Sequence, residues 1–273
     1  MNERWKDLSK RSLVSTVIIG FIVFLLSFSQ EFWAKGIILL TILSLSAVGI
    51  WEFLQMARYK GFFVSKTQVI SLGVAVTFSF FLASQLSEYK TIPVAVFLFS
   101  FFFLFLMQFR KIENSLASVA ASLFSLLYIA VPLGLLFLIL YHDQGPFWIF
   151  YLLVVTKMTD IGAYFGGRLL GRHKLAINLS PKKTIEGAVI GSIFSVAASL
   201  IFSLFNHEVH FGVFLILGVV LAVFSQLGDL SESLLKRDAE VKDSNQLPGL
   251  GGVLDMLDSL LFTTPIIFCY LFR

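Results

Sequence analysis

Residues Gln226–Ser259 read QLGDLSESLLKRDAEVKDSNQLPGLGGVLDMLDS and join two apolar segments, each long enough to cross a bilayer. This stretch holds Asp229, Lys236, Arg237, Lys242, Asp243, Asp255 and Asp258 in a chain that is only 14% charged. Carboxylates at a membrane boundary are costly unless they bind something. Here they alternate with basic residues and a Gly-rich turn, a combination that suits a metal and a phosphate together.

Outward from this stretch the chain is overwhelmingly apolar. Of its 273 residues 57% are hydrophobic, and the mean hydropathy is +0.87. Soluble domains do not have this composition. Apolar runs recur at the length a helix needs to cross about 30 Å of hydrocarbon, and the ten-residue alternation of a membrane β-barrel is absent. The expected fold is an all-α polytopic membrane protein. The net charge of +4 carries no nucleic-acid signal, and no nucleic-acid partner is expected. The one cysteine, Cys269, excludes an internal disulfide and a thiolate cluster.

Nine spans are expected, at about 13–28, 36–56, 69–86, 92–109, 116–140, 147–165, 188–205, 211–230 and 253–272. The first follows a basic start without a small-x-small cleavage site and reads as an uncleaved span. The fifth contains Pro132 and is expected to kink or to split into two shorter helices. Alternate loops carry seventeen Lys and Arg on one side against three on the other. That asymmetry puts the N-terminus in the cytoplasm and the C-terminus on the opposite side. Loops 166–187 and 231–252 then face the cytoplasm. Residues 1–140 read as a transmembrane scaffold, with Glu52 and Trp51 as an interfacial anchor, and residues 141–273 as the catalytic region.

Three constellations carry chemistry. Lys157–Gly167, KMTDIGAYFGG, places Asp160 in or at the edge of a span, where an ionisable group is a functional candidate. Pairing with Lys157 three residues earlier is the alternative. Gly162, Gly166 and Gly167 allow close helix or ligand approach. In Leu179–Gly187, LSPKKTIEG, Ser180 is expected to cap a helix beginning at Pro181. Lys182 and Lys183 would then stand in its first turn, an expected phosphate site. A plain positive-inside anchor is the alternative. In the third, Asp229, Glu232 and Lys236 follow one helix face. Asp255 and Asp258 enter the last span without a basic neighbour in it, which suits a hard ion such as Mg²⁺. Lys236, Arg237 and Lys242 would hold phosphate charge. The four histidines, a nucleophile triad and a Walker A pattern contribute no signal.

At these residues the chain resembles the phosphatidate cytidylyltransferase (CDP-diacylglycerol synthase) family. The C-terminal signature of that family is matched by Ser233, Lys236, Arg237, Lys242, Asp243, Pro248, Gly251, Gly252, Asp255 and Asp258. Three upstream motifs match at Asp160–Tyr164, Ser180–Gly187 (including Thr184) and Gly228–Ser233. The chain departs from the pattern at Leu250, where the family has His, at Met256, where it has Arg, at Ile161, where it has Ser or Thr, and in a spacer one residue shorter.

The resemblance implies Mg²⁺-dependent transfer of CMP from CTP to phosphatidate, giving CDP-diacylglycerol and pyrophosphate, at a bacterial inner membrane. Asp229, Asp255 and Asp258 are expected to hold Mg²⁺, a second cation being compatible, with Asp160 as a further candidate ligand. Lys182, Lys183, Lys236 and Arg237 would meet phosphate, with Ser180 and Thr184 on the substrate side and Lys242 and Asp243 in support. A homodimer suits the family. Two other readings stand beside it. A CDP-alcohol phosphatidyltransferase needs D-G-x2-A-R, which is absent, and a third residue between Asp255 and Asp258. A membrane ion or solute transporter would use the same carboxylates, but they gather at one face instead of along a path.

Overall fold

The computed structural model describes residues 20–62, 65–109, 112–241 and 252–273. The chain forms two units. In the first, residues 1–41, residues 20–27 are helical, and Phe24, Phe28 and Trp33 pack their rings at 5.0–5.8 Å. The second, residues 42–273, carries every motif described above.

The helices are α1 (Phe32–Tyr59), α2 (Lys66–Gln85), α3 (Ile92–Gln108), α4 (Ser115–Leu140), α5 (Gly145–Leu170), α6 (Ile185–Ser203), α7 (Phe211–Asp238) and α8 (Val253–Leu271). Among the described residues, seven are long and apolar enough to cross a membrane. The eighth, α3, has 17 residues, a rise of about 26 Å. Each expected span from the second to the ninth thus has its helix. Of the expected span 13–28, residues 13–19 lie outside the described residues and residues 20–27 are helical.

The fifth span is one helical rod, not two helices. A π-turn over Leu126–Ala130 stands directly before Pro132. Proline cannot donate to the carbonyl four residues back, and its ring crowds that carbonyl. Widening the preceding turn accommodates it, with the Val131 N–H reaching back to the Leu126 carbonyl. Thr77 Oγ1 donates to the Ala130 carbonyl at 3.2 Å.

A second departure is the hairpin. β1 (Lys174–Ala176) pairs antiparallel with β2 (Ser180–Thr184), so a small sheet interrupts the all-helical pattern. Ser180 does not cap a helix, and Lys182 and Lys183 are not in a first turn. Two cations there would oppose the helix dipole, a penalty absent from a strand. The helix starts at Ile185 instead, where Thr184 Oγ1 accepts the Gly187 N–H at 3.1 Å. Glu186 secures the hairpin base. Its carboxylate accepts the Arg172 N–H at 3.0 Å and meets His173 Nδ1 at 2.6 Å.

Small residues set the closest helix contacts. A side chain at Gly162 or Gly166 on α5 would strike Phe194 or Ile190 of α6, and one at Gly191 would meet the Thr159 carbonyl. Such seams let helix backbones approach closely. At one end of the bundle Lys60 pairs with Asp238 at 3.1 Å, and Arg237 Nε donates to the Leu179 carbonyl at 3.1 Å. These contacts bring the ends of α1 and α7 and the hairpin turn together. At the other end Gln144 joins Glu208 and Asn206 at 2.6 and 2.7 Å.

Candidate functional site

A cavity of about 460 Å³ opens between α5, β2, α6 and α7 at the Lys- and Arg-rich end. Asp160, Tyr164 and Arg168 line it from α5, Lys182, Lys183 and Thr184 from the hairpin, and Gln226 and Asp229 from α7. Gly167 and Gly187 line it where α5 and α6 come close.

The charges in this cavity are matched in sign. Lys183 Nζ stands 2.8 Å from Asp229 Oδ2. Strand alternation leaves Lys182 exposed and turns Lys183 inward, half-buried. Lys157 Nζ meets Asp160 Oδ2 at 3.1 Å, so the pairing considered from the sequence does form. Asp160 nonetheless lines the cavity and takes a long contact from Ser225 Oγ at 3.5 Å. Gln226 Nε2 donates to the Ala188 carbonyl and to Ser192 Oγ, both at 3.2 Å, which holds α7 against α6 beside the cavity.

A second cluster stands where α7 meets α8. Lys236 Nζ sits between Glu232 and Asp255. The expectation that Asp255 lacks a basic neighbour holds only within its own helix, because the lysine comes from α7. Lys236 is therefore engaged with carboxylates. Asp258 is buried on α8, and the charges acting on it come from Asp229, Asp160 and Lys157. Gly228 allows this closeness, since a Cβ there would overlap the Asp258 carbonyl.

The expected site residues thus fall into two adjoining groups. Asp160 and Asp229 line the cavity, with Lys183 at Asp229, and Asp258 is buried on α8 where its backbone meets Gly228. Asp255, Glu232 and Lys236 form the other, and Arg237 braces the hairpin turn. Ser180 is half-buried on β2, and Thr184 is spent on capping α6. Lys242, Asp243 and the turn Pro248–Gly251 lie outside the described residues. Among the described residues, no three His, Cys, Asp or Glu side chains are close enough to hold a metal between them. The expected trio of Asp229, Asp255 and Asp258 is accordingly not drawn into one cage.

Several residues of the site were not singled out from the sequence. Gln226 precedes Asp229 by three residues on one helix face, a spacing that could have flagged it. Tyr128 had no signal. Its ring meets Phe262 of α8 at 6.1 Å, and its buried hydroxyl has no hydrogen-bond partner among the described residues. Glu52 is fully buried and is no interfacial anchor.

A helical membrane protein with lysines and carboxylates facing each other in a cavity at one end of its spans is built to handle a charged solute or headgroup at the bilayer edge. A model described as the Cytidylyltransferase family matches residues 9–273. A phosphatidate cytidylyltransferase of Chlamydia muridarum is 34% identical over 97% of this chain and 93% of its own length. One of Chlamydia trachomatis has the same identity and coverage. One of Bacillus subtilis is 36% identical over 83% of this chain and 86% of its own. The chain belongs to the cytidylyltransferase family and is a nucleotidyltransferase.

Proposed function

We propose that the protein transfers CMP from CTP to phosphatidate, giving CDP-diacylglycerol and pyrophosphate. The observation that carries this reading is the cavity in which Lys182 and Lys183 face Asp160 and Asp229 beside apolar spans. Its full-length relatives bear the corresponding name. The grouping of the Lys- and Arg-rich loops at one end supports a cytoplasmic active site reached by CTP from solution. Acyl chains stay in the bilayer while the lipid phosphate enters the cavity.

The lipid phosphate is already a nucleophile, so no covalent enzyme intermediate is needed. One of its oxygens attacks the α-phosphorus of CTP, and the bond from that phosphorus to the oxygen of the leaving pyrophosphate breaks. The chain must bring two anions together and offset their charge, which positioning and electrostatics accomplish. Lys182 and Lys183 meet phosphate oxygens, and Lys236 keeps Asp255 and Glu232 from repelling the incoming triphosphate.

A divalent cation fits the donor set. One or two of Asp160, Asp229 and Asp258 would supply hard oxygen ligands, since the three do not enclose an ion together, and substrate phosphate would complete the shell. Mg²⁺, when bound, would neutralise triphosphate charge. Asp255 can join these ligands if Lys236 turns toward phosphate.

The test is pyrophosphate release by purified protein in detergent with phosphatidate, CTP and Mg²⁺, omitting each in turn. Release needing all three, with equal CDP-diacylglycerol, is expected. Solute flux across sealed vesicles without CTP dependence would instead favour a transporter. Lys183→Ala is expected to raise the KM for CTP about tenfold or more, the loss of one charge-assisted contact worth roughly 1.5–3 kcal/mol. An unchanged KM would remove Lys183 from the nucleotide site.

A further inference from the structure

The last helix begins without a cap of its own. Its N-cap is Gly252, which has no side chain to accept the first N–H groups. The backbone there is extended, φ −77° and ψ 144°, so no glycine-only conformation requires that residue. A Ser or Asp at this position would be the ordinary local solution. Instead the acceptor comes from α1. Glu52 Oε1 accepts the Val253 N–H at 3.0 Å, and Oε2 accepts the Leu254 N–H at 2.8 Å.

Glu52 has no exposed surface. Burying a carboxylate is costly unless it is hydrogen-bonded and charge-matched. Two backbone donors and the positive end of the helix dipole meet that need. Two oxygens on two successive N–H groups constrain both the axial position of α8 and its rotation. Asp255 and Asp258 are the third and sixth residues of that helix. They therefore stand within two turns of the held end, and their aim toward α7 depends on it. A cap from residue 252 would hold only the local turn. A cap from α1 ties the helix start to the rest of the bundle.

We propose that Glu52 is a positioning residue that clamps the first turn of α8 and so holds Asp255 and Asp258 in register with Asp229 and Lys236. Their part in the chemistry rests on the function proposed above. The clamp can be read separately from it.

The experiment compares wild type with Glu52→Gln and Glu52→Asp. Gln keeps the volume but replaces one acceptor by an NH₂ group and removes the charge. Asp keeps the charge and both acceptors on a shorter stem. Two readouts are taken in detergent: amide exchange of a peptide covering residues 252–258 in ligand-free protein, and kcat with KM for CTP per folded molecule. In Glu52→Gln, exchange at Val253 and Leu254 is expected to rise at least tenfold. The kcat is expected to fall tenfold or more with the KM for CTP within about twofold, because the lysines of the cavity are untouched. Glu52→Asp should recover part of both, and it carries the comparison alone if the Gln variant does not fold. Unchanged exchange would overturn the clamp. Faster exchange with unchanged kcat would make Glu52 a structural cap only and overturn positioning. A wild type without CTP- and phosphatidate-dependent turnover overturns the proposed reaction instead.

Discussion

Asp258→Asn is expected to lower turnover by about 10²–10³-fold, the cost of removing one preorganised charge from a site that works by electrostatics, and to leave the protein folded. The substitution is nearly isosteric. Asp258 Oδ1 accepts the neighbouring Ser259 N–H, a contact the Asn carbonyl can keep. What disappears is a negative charge that acts on Asp229 and Asp160. In the absence of substrate that charge is repelled by its neighbours, so its loss does not weaken the fold. During transfer it would help hold the cation that offsets the triphosphate. Turnover per folded molecule, with thermal stability in detergent as the control, checks this. The apparent requirement for Mg²⁺ should rise in any residual activity. Near-normal activity would remove Asp258 from the cation site.

Gly228→Ala should also nearly abolish activity, for a mechanical reason. The Cβ it adds would overlap the carbonyl of Asp258 and lie 3.1 Å from the Cα of Ser259. These are backbone atoms, so no side-chain rotation makes room and α7 must move away from α8. Overpacking of this kind costs about 1–3 kcal/mol. The catalytic loss should exceed what that predicts, because Asp229 follows Gly228 directly and separates from Asp258. A displacement near 1 Å can cost about 10²-fold in rate. Gly218→Ala is the matched comparison. It lies on the same helix but presses on Ser199 and Val196 of α6, at 2.9 and 3.0 Å. It should lose comparable stability and retain more turnover per folded molecule. Equal activity losses in the two variants would count against the α7–α8 seam as the determinant.

Helix identity was legible from apolar length alone. Eight expected spans have their helices because a chain in lipid must satisfy its backbone internally, which leaves little choice of structure. Motif residues were legible because ionisable groups are rare in such a chain. The hairpin was not. Ser180-Pro181 reads equally as a cap with a first-turn proline or as a strand edge, and contacts from Glu186 to residues 172 and 173 decide between them. The π-turn before Pro132 depends likewise on what surrounds it.

Apolar length and the rarity of charge dictate a polytopic helical membrane protein with carboxylates and lysines gathered at one end of its spans. Burial cost and span length suffice for that. Which charges meet depends on how the helices pack. Lys183 reaches Asp229, Lys236 reaches Asp255, and Glu52 reaches the start of a helix 201 residues away. Those pairings follow from helix packing distances and small-residue seams, which spacing along the chain does not encode.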